Sequence, residues 1–171
     1  MKLTLEGIKD KQLWSQAGIE LPSYDLEELA QRTKEAPVWV HFGIGNIFRI
    51  FIGSIADRLI TDGLMDRGIV CVETFDYETI DRIYKPYDNL SLSVILNNDG
   101  TTEKRVFGCF TEARKGVPDG TEDRQRLREI FANPSLQMVS FTITEKGYAL
   151  RGADGQYYRF IQDDIDYGPD R

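Results

Sequence analysis

Val38-Trp-Val-His-Phe-Gly43-Ile-Gly45-Asn-Ile-Phe48-Arg49 is an apolar run that passes directly into a Gly-x-Gly turn and from there into a helical pattern. That order aims a helix N-terminus, with its unpaired backbone N–H groups and partial positive charge, at whatever lies above the turn. Phosphate is the usual occupant of such a place.

Working outward, Asn46–Leu64 reads as a helix. Phe48, Ile52, Ile55, Leu59 and Ile60 recur at helical spacing, while Arg49, Asp57, Arg58 and Asp62 fall largely on other faces. The next apolar run, Gly68–Glu73, completes a strand–helix–strand unit of the size of a right-handed βαβ crossover. A second short helix is predicted over Asp76–Tyr84, stopped by Lys85-Pro86. Leu90–Leu96 and Thr102–Phe110 flank Asn97-Asn-Asp-Gly100, a strong hairpin signal. A polar helix follows over Asp123–Ala132, and Gln137–Thr144 is the last apolar strand. The pattern predicts an α/β fold, Rossmann-like, with a mostly parallel sheet, a β-hairpin excursion and an incomplete C-terminal end. Residues 1–35 are read as a lead-in that ends in a helix from Asp25, 36–150 as the nucleotide-binding domain, and 151–171 as an irregular tail.

With 171 residues the chain suits one domain, and 21 basic against 28 acidic residues give −7, which disfavours nucleic acid or an anionic membrane as partner. Cys71 and Cys109, with one histidine, make neither a disulfide framework nor a zinc set, so they are read as reduced thiols. The N-terminal residues lack an apolar signal-peptide core, and no stretch approaches the ~20 apolar residues of a membrane span. The chain is read as cytoplasmic.

Gly43 permits a tight bend, and Gly45 removes a Cβ that would block phosphates. The third glycine of the usual G-x-G-x-x-G is replaced by Phe48, which should hold helix and strand apart or tuck into the sheet; Arg49 follows within reach of a phosphate or ribose. Glu73 or Asp76, after the second strand, is placed to grip ribose hydroxyls, an arrangement that favours NAD over NADP. Thr142, Thr144 and Glu145 end the last strand, where an open α/β sheet lines its ligand crevice. His41 is read as packing or hydrogen-bonding locally rather than as a general base. A methyltransferase would also fit the βαβ unit but finds no support in Thr142–Tyr148, and a non-catalytic nucleotide-binding module is the main rival.

Three segments together resemble the mannitol dehydrogenase family of long-chain polyol and hexuronate dehydrogenases: His41–Arg49, Gly68–Glu73 with its acidic follow-on, and Ser140-Phe-Thr-Ile-Thr-Glu-Lys-Gly-Tyr148. The last is the most specific, because Thr-x-Thr-Glu-x-Gly-Tyr is no general Rossmann feature. The resemblance implies hydride transfer between NAD and a secondary alcohol of a polyol or sugar acid, without metal. It implies that Gly43, Gly45, Asn46, Ile47, Phe48 and Arg49 surround the pyrophosphate, that an acid among Glu73–Asp76 holds the ribose, and that Thr144 and Glu145 lie towards the nicotinamide. In such enzymes a catalytic lysine with asparagine and histidine partners lies later in the chain. Nothing after Tyr148 matches that region, so no catalytic residue is expected here and the 171 residues alone are expected to be inactive.

Overall fold

The computed structural model describes residues 1–117 and 121–168, and the backbone alone at 145 and 146. Two short helices, α1 (Lys11–Gln16) and α2 (Leu26–Glu35), precede β1 (Trp39–Phe42). A π-helical turn, Phe48–Ile52, runs into α3 (Gly53–Thr61), followed by β2 (Ile69–Glu73). A second π turn (Ile80–Tyr84) leads to the hairpin β3 (Ser91–Leu96) and β4 (Thr102–Phe107). The chain then returns through β5 (Phe110–Lys115), α4 (Glu122–Ala132), β6 (Met138–Phe141) and α5 (Arg159–Tyr167).

Four strands form one parallel sheet in the order β5-β2-β1-β6, and β3 pairs with β4 as a separate antiparallel ribbon. The sheet runs outward from β1 on both sides, β2 on one and β6 on the other, so the strand order reverses beside β1. This is the topological switch point at which open α/β sheets bind ligands. The β1–β2 and β1–β6 registers are unbroken, which brings Phe42, Val72 and Phe141 level at the carboxyl ends.

Both faces of the sheet are covered at β1 and β2, whereas Met138, Val139 and Phe141 of the edge strand β6 are exposed. On one face, Ile69 and Cys71 pack with Ile44, Phe48, Ala56 and Ile60; on the other, Val40, Val70 and Val72 meet Leu127 and Ile130 of α4. Each buried Ile, Val, Leu or Phe among them is worth up to about 1.5–3 kcal/mol in transfer terms. A third cluster, Ile8, Trp14, Ile19, Leu90 and Val106, fastens the lead-in to the hairpin. Tyr24 adds a polar anchor: its hydroxyl bonds the Asp57 carboxylate on α3, and Asp57 lies 3.1 Å from the Arg105 guanidinium.

Several boundaries differ from the sequence expectation. The helix begun at Asn46 stops at Thr61, because Gly63 takes a left-handed φ of +70° and the Leu64 N–H turns back to Leu59 O at 2.9 Å. Helical geometry continues past Pro86 as a 3-10 turn, Lys85–Tyr87. The second hairpin strand ends at Phe107, and Phe110–Lys115 is a parallel strand of the main sheet instead. Its polar sequence hid it: buried Glu112 is neutralised by Arg114 and by Arg126 from α4, the latter bonding Oε2 at 3.0 Å and Oε1 at 2.6 Å. The segment read as an irregular tail contains α5, where Ile161 and Ile165 lie one helical turn apart; residues 169–171 lie outside the described residues. No helix among the described residues is long and apolar enough to cross a membrane.

Candidate functional site: the glycine turn at the strand-order switch

The turn Gly43–Gly45 rises from β1 at the edge facing β6. Gly43 is required by the fold: its φ is +86°, and a Cβ there would sit 2.3 Å from the Thr142 carbonyl oxygen. Gly45 is different. Its φ is not left-handed, and nothing lies within 4 Å of where its Cβ would be. The protein itself therefore gives no reason for a glycine at 45, whereas a ligand approaching the backbone would.

The backbone of the turn is held almost everywhere. Gly43 N–H donates to Val72 O at 3.0 Å, and the Gly43 carbonyl accepts from the Thr142 hydroxyl. Ile44 is fully buried; its N–H faces Glu73 Oε2 at 3.5 Å and its carbonyl accepts from the Tyr84 hydroxyl at 2.8 Å. The Gly45 carbonyl accepts the first helical bond, from Arg49 N–H at 3.1 Å. Among the described residues nothing accepts from the N–H groups of Gly45, Asn46 or Ile47. These are the orphan donors of a helix start, directed at the switch point.

Phe48, in place of the third glycine, is buried and tucks beneath the turn, stacked on His41 at 4.1 Å and tilted against Phe110 at 5.0 Å. The first helical turn widens to π geometry at this side chain. Close helix-to-sheet contact is displaced to Gly53, where a Cβ would meet the Phe110 ring at 2.5 Å.

His41 lies in a directed chain of hydrogen bonds that also ends on the turn. Thr142 gives its proton to Gly43 O, so it must accept at 3.1 Å from His41 Nε2–H; Nδ1 is then bare and accepts from Ser140 Oγ at 2.7 Å, which in turn accepts from Trp39 Nε1 at 2.7 Å. Burial lowers the His41 pKa to about 4, the Gly43 backbone bond opposing it, so the ring is neutral near pH 7. It packs and bonds locally, as its position in a strand implied.

The other sequence-predicted residues are distributed unequally around this turn. Arg49 bonds Asn46 Oδ1 and lies 6.0 Å over the Tyr84 ring, while Ile47 is exposed. Glu73 is mostly buried; Oε1 accepts from the N–H groups of Thr74 and Phe75 at 3.0 Å and of Asp76 at 3.4 Å, which leaves Oε2 turned to the glycine turn. Asp76 is exposed and accepts from the Thr79 hydroxyl at 2.9 Å. Thr144 follows β6, and its carbonyl accepts from Gly147 N–H at 2.8 Å. The Glu145 side chain lies outside the described residues. Sequence reasoning missed Tyr84 and Ser140, whose roles depend on partners about 40 and 100 residues away.

A glycine turn with free N–H groups at the switch point of a parallel sheet defines a Rossmann-type nucleotide-binding domain. No family model matches the chain. It is 47% identical over 169 residues to D-mannonate oxidoreductase of Thermotoga maritima, across 99% of this chain and 31% of that protein. Mannitol 2-dehydrogenase of Pyrenophora tritici-repentis is 28% identical over 144 residues, 82% of this chain and 23% of that one. The solved Pseudomonas fluorescens mannitol 2-dehydrogenase, a ternary complex with NAD and D-mannitol, superposes with a TM-score of 0.73 at 26% identity, over 99% of this chain and 33% of that one. The chain belongs to the mannitol dehydrogenase family and corresponds to its N-terminal portion. It spans about a third of the length of the relatives named first.

Proposed function

We propose that the chain is the NAD-binding portion of an oxidoreductase that moves a hydride between NAD and a secondary alcohol of a polyol or sugar acid, of the mannitol/fructose or mannonate/fructuronate type. The observation that carries this reading is the open space over Gly45, bounded by the free N–H groups of Gly45, Asn46 and Ile47. The 47% identity to a D-mannonate oxidoreductase supports a sugar-acid substrate for the whole protein.

Bound NAD supplies the hydride acceptor or donor. The chain's own residues bind and orient it. The three N–H groups and the helix N-terminus receive the pyrophosphate, with Arg49 beside them to neutralise a phosphate oxygen. Glu73 Oε2, facing the turn, accepts from a ribose hydroxyl, while Asp76 lies further out on the same loop. The same negative charge repels a 2′-phosphate, which favours NAD over NADP. Thr144 and Glu145, after β6, lie towards the nicotinamide side. Proton removal from the alcohol falls to a lysine in the region that has no match after Tyr148, so the 171 residues alone bind cofactor without turning over substrate.

Calorimetric titration of NAD into the chain and into its Gly45→Val variant tests this. The valine should fill phosphate space and abolish measurable binding without unfolding the domain. Equal affinity in both proteins would remove the pyrophosphate assignment. Enzyme-dependent oxidation of D-mannonate or D-mannitol by the 171-residue chain would overturn the division of labour.

A further inference from the structure

We propose that Tyr84 is a positioning residue for the glycine turn, locking the Ile44–Gly45 peptide in the one orientation that points the Gly45 N–H at a pyrophosphate. This rests on the reading of that turn as the pyrophosphate site.

The Ile44 carbonyl and the Gly45 N–H belong to the same peptide plane, and the structure contains no cis peptide bond among the described residues. In a trans peptide the two groups point in opposite directions. The Tyr84 hydroxyl donates to Ile44 O at 2.8 Å from the buried side of the turn, so the Gly45 N–H must face the other way, into the open space. A flipped peptide would instead present a carbonyl oxygen to the phosphate, replacing attraction with repulsion. Glycine at 45 makes such a flip sterically cheap, because no Cβ opposes it. An external lock is therefore needed, and Tyr84 is the side chain that supplies one.

The lock is itself well held. Tyr84 ends the π turn Ile80–Tyr84, is 1% exposed, and sets its ring edge-on to Phe110 at 6.2 Å. Arg49 lies over the same ring, which couples the guanidinium that would meet the phosphate to the side chain that aims the N–H. The preceding peptide is fixed independently, by Thr142 on Gly43 O and by Glu73 on Ile44 N–H. Only the Ile44–Gly45 plane depends on Tyr84.

The experiment is a calorimetric titration of NAD and of ADP into four proteins: the unsubstituted chain, Tyr84→Phe, Phe110→Leu and Gly45→Val. Tyr84→Phe keeps the ring and its packing and loses one buried hydrogen bond, so its melting temperature should fall by a few degrees at most, less than that of Phe110→Leu. Its affinity for both ligands should fall about fivefold, the loss of one neutral hydrogen bond. Phe110→Leu disturbs the same ring without touching Ile44 O; it should lower the melting temperature and hold affinity within about twofold. Unchanged affinity in Tyr84→Phe, alongside lost binding in Gly45→Val, overturns the positioning role alone. Parallel losses of affinity and stability in Tyr84→Phe and Phe110→Leu also overturn it, because they mark Tyr84 as ordinary core. Equal binding by Gly45→Val, or none by the unsubstituted chain, overturns the pyrophosphate reading and the proposal with it.

Discussion

Thr142 clasps Gly43: its hydroxyl donates to the Gly43 carbonyl, and its own carbonyl oxygen lies 2.3 Å from where a Cβ on Gly43 would stand. The two glycines of the turn are therefore glycine for different reasons. Gly43→Ala meets both a left-handed φ and a backbone clash, and should cost about 2–4 kcal/mol of folding stability. Gly45→Ala meets neither and should stay within about 0.5 kcal/mol of the parent. Urea unfolding of the two variants measures the contrast; equal losses would show that position 45 is structural after all.

His41 is the only histidine in the chain, which isolates its titration. Burial lowers its pKa to about 4 from the ordinary 6.5. Between those values the unfolded chain binds a proton that the folded one does not. The ring's contribution is complete above pH 6.5 and is lost as pH falls towards 4. From pH 7 to 5 the loss should be about 2 kcal/mol. Asp57, whose carboxyl burial raises, contributes with the opposite sign. Chemical denaturation across that range should show a shallower slope for His41→Gln than for the parent, and an identical slope would refute the assignment.

The lead-in is tied to the domain through Tyr24, Asp57 and Arg105. Asp57 is wholly buried, and its Oδ1 also receives Gly108 N–H at 3.3 Å. Asp57→Ala leaves a partly buried guanidinium with only the exposed Glu20 carboxylate, 3.7 Å away, as counter-charge, and should cost about 3 kcal/mol. Tyr24→Phe removes one bond and should cost about 1–2 kcal/mol. Because residues 1–24 dock on the hairpin beside this network, Asp57→Ala should also speed proteolytic cleavage there. Limited proteolysis followed by mass spectrometry reads that directly.

Much of this architecture was legible from local pattern. Val38–Phe42, the glycines and the periodicity of Phe48, Ile52 and Ile60 are short-range signals, and they place β1, the turn and α3. The βαβ unit and the hairpin followed for the same reason. What escaped depends on distant partners. β5 looks like a polar loop until Arg126 is brought from α4 to neutralise Glu112, a pairing strong enough to hold that carboxyl below its usual pKa although burial works against it. α5 escaped because none of its apolar residues is buried among the described residues, so its pattern has no packing to reinforce it. Phe48 was legible as a departure from the glycine pattern, but its accommodation by a π turn and Gly53 was not. At the site, the glycines and the acidic strand end could be named in advance. Tyr84 could not, because its partner is a backbone carbonyl 40 residues away.

Glu73 and Asp76 compete for the ribose, and their surroundings separate them. Glu73 Oε1 is committed to the N–H groups of residues 74–76, so its carboxylate is oriented before any ligand arrives, with Oε2 towards the glycine turn. Asp76 is exposed, and its place is set by Thr79. Preorganisation of this kind makes a hydrogen bond effective, since little ordering remains to be done on binding. Glu73→Gln keeps the shape but loses the charge, and should weaken NAD binding about tenfold while narrowing discrimination against NADP. Asp76→Asn should change NAD affinity by less than about threefold. Measuring both cofactors on both variants decides the matter: a tenfold loss confined to Asp76→Asn would transfer the ribose contact to Asp76.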